Sequence, residues 1–203
     1  MIAIIDYGVG NLFSLTCSFK SIGADICVTS DPDLIAKSER IILPGVGAFE
    51  DAARKLRQSG LDRVIKEECA RGKPLLGICL GMQMLFEKSY EYGEHEGLGL
   101  IKGNIRPISD VIPKDLKIPH IGWNALSFGN KKDGLFKYLN EGDFVYFVHS
   151  YYGADCDDSV IATAEYGVPL TAAVRKDNVC GVQFHPEKSE KTGLAILKAF
   201  CEI

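Results

Sequence analysis

Apolar residues in the first half of the chain come in two rhythms. Short, nearly uninterrupted runs at Ile2–Ile5, Asp25–Thr29, Arg40–Leu43 and Leu75–Ile78 predict strands buried on both faces. Between them apolar positions return at helical spacing. Leu12, Leu15, Phe19 and Ile22 share one face up to Gly23, a C-cap residue. Ser30-Asp31-Pro32 opens a short helix with a capping residue before proline, and helices are predicted at Ala48–Gln58 and Leu61–Arg71. After Leu75–Ile78 the pattern turns helical again as far as Glu87. Strands alternating with helices predict an α/β fold with an open, mostly parallel central sheet, right-handed crossovers, and a site at the carboxyl ends of the strands.

Beyond Ser89 the rhythm changes. Tyr90–Gly97 is polar and acidic and reads as a surface loop, with His95 solvated in it. Strand-like runs then crowd together at Leu98–Ile101, Ile105–Ile108, Phe144–Val148, Val160–Glu165, Leu170–Arg175 and Val179–Phe184. So many strands with so few helices predict a mixed or antiparallel extension of the sheet. Ser189–Cys201, with its Leu194, Leu197 and Phe200 stripe, reads as a closing helix. A chain of 203 residues fits one domain, 1–203.

Composition narrows the class. A formal charge of −4 offers no basic footprint for nucleic acid. No apolar run approaches the ~18 residues of a membrane span, and the start of the chain lacks the charged region of a secretory signal, so a cytoplasmic protein is expected. The cysteines, at 17, 27, 69, 79, 156, 180 and 201, are odd in number and contain no C-x-x-C, which argues against a disulfide framework or a cysteine-rich zinc site.

Gly77-Ile78-Cys79-Leu80-Gly81 has the form of a nucleophile elbow, G-x-C-x-G. Glycines two before and two after the centre let strand and helix approach closely, while the central residue takes a strained conformation that presents its side chain over the sheet. Cys79 is expected exposed at a helix start, where the partial positive charge favours an anion. The Leu80 N–H would then face an oxyanion. The same position also suits a buried structural cysteine, so a base has to decide between them. His185 ends the strand Val179–Phe184, and in His185-Pro186-Glu187 residues two apart share a face around a stiff proline. A carboxylate beside an imidazole fixes its tautomer, completing a nucleophile, base and orienter set if the two strand ends abut.

Other glycine-rich turns are less decisive. Asp6-Tyr7-Gly8-Val9-Gly10-Asn11 follows the first strand like a dinucleotide fingerprint, but Phe13 stands where a third glycine is required, which argues against nucleotide binding. Pro44-Gly45-Val46-Gly47 can present N–H groups to a neighbouring site or serve as a plain strand-to-helix turn.

Gly-x-Cys-x-Gly with a later His-Pro-Glu resembles the triad, or class I, glutamine amidotransferases over essentially the whole chain. Asp6–Leu12, Pro44–Gly47, Pro119-His120-Ile121-Gly122-Trp123-Asn124 and Val148-His149-Ser150-Tyr151 resemble the branch whose glutaminase subunits serve a (β/α)8-barrel cyclase of histidine biosynthesis. The resemblance implies that Cys79, His185 and Glu187 hydrolyse glutamine and that Leu80 and Val46 N–H groups hold the oxyanion. It also implies that Gly47, Gln83, His149, Ser150 and Tyr151 bind substrate, in a heterodimer with the cyclase and without cofactor or metal. For Gln83 the residue type alone allows a solvated helix position. Trp123, the only tryptophan, suits either the cyclase interface or the core, and His120, Asn124 and Tyr146 are weaker candidates for the same surface. Two rivals remain: a cysteine peptidase or amidase on a similar elbow, and a regulatory module that keeps the fold without the chemistry.

Overall fold

The computed structural model describes residues 1–129 and 132–203. Its first half follows the predicted alternation closely: β1 (Ile2–Ile5), α1 (Leu12–Ser21), β2 (Ile26–Thr29), α2 (Pro32–Lys37), β3 (Arg40–Leu43), α3 (Phe49–Gln58), α4 (Leu61–Ala70) and β4 (Leu75–Ile78). Asn11 and Asp31 cap α1 and α2 with their side chains. Next comes α5 (Leu80–Met84), which ends after five residues instead of continuing to Glu87. The apolar residues that follow enter β5 (Phe86–Ser89), which pairs with β6 (His95–Glu96) and β7 (Ile101–Pro107).

The rest of the chain is strand-rich, with β8 (His120–Ser127), β9 (Phe144–His149), β10 (Tyr151–Ala154), β11 (Val160–Glu165), β12 (Pro169–Lys176) and β13 (Val179–Val182) before the closing α6 (Glu190–Cys201). The main sheet runs β2-β1-β3-β4-β13-β12-β11-β8-β9. Its first five strands are parallel neighbours and the remainder pair antiparallel, the mixed extension expected from the sequence. A second sheet, β10-β7-β5-β6, lies apart from it. The predicted runs Leu98–Ile101 and Ile105–Ile108 merge into β7, whereas β5, β6, β8 and β10 have no counterpart among the predicted strands.

Period-two alternation assigns the two faces of the parallel sheet. Ile2, Ile4, Ile42, Leu76 and Ile78 pack with Leu15 and Phe19 of α1 and Leu197 and Phe200 of α6. Ala3, Ile5, Ile41, Leu43 and Leu75 pack on the other side with Ile35, Phe49, Leu56 and Ile65 of α2, α3 and α4. Each fully buried Phe or Leu contributes about 1.5–3 kcal/mol, so these two layers hold the strand ends in fixed relation. At the start of β4 the buried Glu68 carboxylate takes Lys73 at 2.6 Å, and Lys73 also donates to the carbonyls of Ile35 and Ala36, tying the strand to α2 and α4. Among the described residues no helix is long and apolar enough to cross a membrane, and no three acidic, His or Cys side chains converge as metal ligands.

Candidate active site

β4 and β13 are parallel neighbours in the register Leu75↔Val179 to Ile78↔Val182, so the chain leaves both strands at the same end of the sheet. The Cys79 N–H extends the ladder onto the Val182 carbonyl at 2.8 Å. There β4 breaks: Cys79 takes φ 53° and ψ −113°, a region that L residues avoid, and α5 starts at the next residue. The glycines are sterically required. A Cβ on Gly77 would meet the Gly81 carbonyl oxygen at 2.7 Å, and one on Gly81 would lie 1.9 Å from the Leu43 carbonyl oxygen. Cys79 itself is 8% exposed, less than the sequence led us to expect, because the surrounding strand ends leave it open only toward a cavity of about 370 Å³.

Beyond β13 the chain carries Gln183, Phe184 and His185 along the same strand end. The His185 N–H donates to the Tyr146 carbonyl of β9 at 3.0 Å, and the Ser189 hydroxyl donates to the His185 carbonyl at 2.7 Å. His185 Nδ1 lies 2.8 Å from Glu187 Oε1, with both side chains buried. Burial alone would lower the imidazole, but hydrogen bonds to Cys79 and Glu187 and the charges of both raise it from 6.5 to about 9. Because the folded value lies above the unfolded one, this group's stabilising contribution is complete below pH 6.5 and disappears as pH rises to about 9. Urea midpoints measured across that window should fall for the wild type and fall less for His185→Asn; equal slopes would remove the assignment.

The cavity also collects Val46, Gly47, Leu80, Gln83, His149, Ser150 and Tyr151, every substrate and oxyanion candidate named from the sequence. Val46 is exposed, and Gly47 has φ 94° with open space around it. Two residues before Val46, the Pro44 carbonyl accepts the buried Tyr7 hydroxyl at 2.8 Å. Gln83 is buried, not solvated: its amide donates to Gln183 Oε1 at 3.0 Å and to the Tyr151 carbonyl at 3.3 Å, while Gln183 Nε2 reaches Cys79 Sγ at 3.8 Å. His149 gives its Nδ1 to the Tyr151 carbonyl, and burial first, with His120 and His185 assisting, holds it down to about 4.

The interface candidates divide. Trp123 lies on β8 opposite Tyr146 of β9, 43% exposed and edge-on to that ring at 6.0 Å, so it is not a core aromatic. His120, at 2% exposure, is turned inward onto His149, which removes it from the outer surface; Asn124 and Tyr146 are half-buried. His95 is another correction, since it lies in β6, pairs with Ser89 of β5, and its Nε2 is buried.

Sequence reasoning missed several groups. Glu91 and Tyr92 reach the cavity from the acidic loop, where Glu91 Oε2 also accepts the Phe49 N–H at the start of α3 at 2.6 Å. Pro119 and Lys188 complete the rim, with Lys188 over the Tyr146 ring. Only Gln183, a polar residue inside an apolar run two positions before His185, left a legible signal.

The family described as class-I glutamine amidotransferase matches residues 3–203. A protein of Caldanaerobacter subterraneus subsp. tengcongensis named imidazole glycerol phosphate synthase subunit HisH is 53% identical, over 100% of this chain and 98% of its own length. One of the same name from Wolinella succinogenes is 47% identical over 100% of both chains. A solved structure described as a glutamine amidotransferase is similar in fold, with a TM-score of 0.76 at 16% identity, covering 99% of this chain and 100% of the other.

Proposed function

This chain belongs to the class-I glutamine amidotransferases, and from that premise we propose that Cys79, His185 and Glu187 are its hydrolytic triad, working on the side-chain amide of glutamine. It acts as the glutaminase subunit of an imidazole glycerol phosphate synthase, in histidine biosynthesis. The observation that carries the site assignment is the strained Cys79 beside a buried imidazole–carboxylate pair, all opening on one cavity.

Cys79 sulfur attacks the amide carbon, and the Leu80 N–H, with Val46 as second donor, holds the developing oxyanion. His185, protonated at neutral pH, gives its proton to the departing ammonia. Water then attacks the thioester with His185 as base, releasing glutamate, while Glu187 holds Nδ1 of the ring throughout. Gln83, Gly47, His149, Ser150 and Tyr151 form the cradle. Glu91, a carboxylate on the rim, matches the ammonium of a free amino acid better than the amide of a peptide chain. That favours glutamine over a peptidase substrate.

The ammonia passes to a cyclase subunit, a (β/α)8 barrel that forms a heterodimer with this chain, in the cytoplasm, with residues 1–203 acting as one glutaminase domain. Exposed Ile121, Trp123 and Phe144 on β8 and β9 supply an apolar docking face beside the cavity. The test is incubation with glutamine, with and without the cyclase and its nucleotide ligand, following glutamate and ammonia. Glutamate release that rises with the partner is the expected result; none in the complex, while added ammonium still supports synthesis, would overturn the reading.

An oxyanion donor contributes about 2.7–4 kcal/mol only when preorganised, and the Val46 segment is exposed and flanked by glycine. The isolated subunit should therefore turn over slowly. Val46→Pro has no N–H to offer, so it should still bind glutamine and cyclase yet lose ~10²-fold of the partner-stimulated rate. Full stimulation of this variant would show that another donor serves.

A further inference from the structure

Between the cavity and strand β8 lies a buried chain of hydrogen bonds whose protons can be counted. At its outer end the Glu165 carbonyl, which can only accept, takes the Asn124 Nδ2–H at 2.6 Å. That fixes the amide, so Asn124 Oδ1 is the atom facing His120 Nε2 at 2.9 Å, and this contact requires a proton on the ring. At the inner end the Tyr151 carbonyl, another pure acceptor, lies 2.8 Å from His149 Nδ1 and requires a second ring proton. In the middle His120 Nδ1 and His149 Nε2 are 2.9 Å apart, and two bare lone pairs repel at that distance, so a third is required. Two neutral imidazoles supply two.

We propose that His120 and His149 share a third ring proton, forming a singly charged pair, and that His120 is thereby a positioning residue for glutamine hydrolysis. The kinetic half of this inference rests on the glutaminase reading; the proton count does not. The shared proton commits His149 to donating through Nδ1, which pins the Tyr151 carbonyl. The same carbonyl accepts Gln83 Nε2–H, and Gln83 in turn holds Gln183 against Cys79. A change at Asn124 on β8 is thus relayed, bond by bond, to the nucleophile.

The surroundings suit one charge. The His120 ring is stacked between Tyr166 at 4.0 Å and Phe147 at 5.1 Å, whose faces attract a cation. Tyr166 donates its hydroxyl away, to the Lys117 carbonyl, and Glu165 contributes its main chain rather than its carboxylate. The opposing group is His185, whose charge faces His149 and, with burial, drives the shared proton toward His120. Burial lowers His120 as well, so the pair gives up its shared proton at lower pH than a free imidazole, and all three contacts are made together on the acid side of 6.5.

The ring nitrogens of the full chain, labelled with 15N-histidine, report the count directly by NMR at pH ~5, on the acid side of the ordinary histidine value of ~6.5. Three protonated nitrogens across His120 and His149 are expected; two, with both rings neutral, would overturn the proposal whatever the enzyme hydrolyses. In complex with the cyclase, His120→Phe keeps the stack and removes both bonds, and should raise KM for glutamine about tenfold with kcat within about twofold. Asn124→Asp places a carboxylate on the His120 Nε2–H and should move the inflection of kcat/KM that belongs to the pair to higher pH. An inflection unmoved by Asn124→Asp, in a variant that folds, would reduce His120 to packing.

Discussion

Cys79→Ala should lose glutamine-dependent product formation by more than ~10⁴-fold while synthesis from added ammonium salts continues, since the cyclase needs only ammonia. Among the described residues lining the cavity, Cys79 is the only thiol. Gln183 approaches Cys79 sulfur as a donor, and Gln83 is occupied by Gln183 and the Tyr151 carbonyl. A structural corollary separates chemistry from folding. Alanine inherits the backbone at φ 53° and ψ −113°, whereas glycine adopts it freely, so Cys79→Gly should be equally inactive yet about 1 kcal/mol more stable than Cys79→Ala in urea. Glutamine turnover surviving in either variant would end the nucleophile assignment, and an inverted stability order would show that the elbow is unstrained.

The second large effect needs no lost chemistry. Gly81→Ala introduces a methyl carbon 1.9 Å from the Leu43 carbonyl oxygen and 3.2 Å from the Pro44 carbonyl carbon, both main-chain atoms of the end of β3. Main chain cannot step aside as a lysine tip would. We expect a loss of more than ~3 kcal/mol by urea unfolding, and no glutaminase activity in whatever folds, because relief of the clash drives Pro44-Gly45-Val46 away from Cys79. Gly134→Ala is the matched comparison, as its methyl meets nothing closer than Arg175 Nη1 at 4.0 Å. Equal stability of the two variants would contradict the packing account.

These effects fall where the sequence was most legible. Gly77 and Gly81 mark the elbow because close backbone approach leaves no alternative residue, and His185-Pro186-Glu187 marks the base because a proline stiffens a short span. The parallel half of the sheet was equally readable, since strands buried on both faces are written as apolar runs. The antiparallel half was readable in part: β9, β11, β12 and β13 stood out as strand-like runs, whereas β8 did not. His120–Ser127 was not among the predicted strands because Gly122 and the polar His120 and Asn124 interrupt its apolar positions, while its pairing with β9 is a long-range fact. Phe86 and Glu87 continued a helical pattern that tertiary pairing of β5 with β7 overrode. Glu91 was invisible for a different reason: an acid in an acidic loop acquires meaning only from what the fold brings beside it. His120 shows the converse, a residue noticed for the right motif and assigned to the wrong side of its strand.

The hydroxyl of Tyr7 on the Pro44 carbonyl has a mechanical consequence. With Pro44 tethered there and Gly45 wedged so closely that a methyl would touch the Gly81 nitrogen at 2.8 Å, the chain entering Val46 cannot slide. Downstream, Gly47 is exposed, and nothing lies within 4 Å of where a Cβ would stand. A segment fixed at one end and loose at the other admits a crankshaft, in which one peptide plane swings about its flanking torsions while the flanking Cα atoms stay in place. Such a swing shifts no helix and opens no core. A docked partner that favours one orientation of that peptide would therefore act on the fraction of time spent in it without unfolding any element.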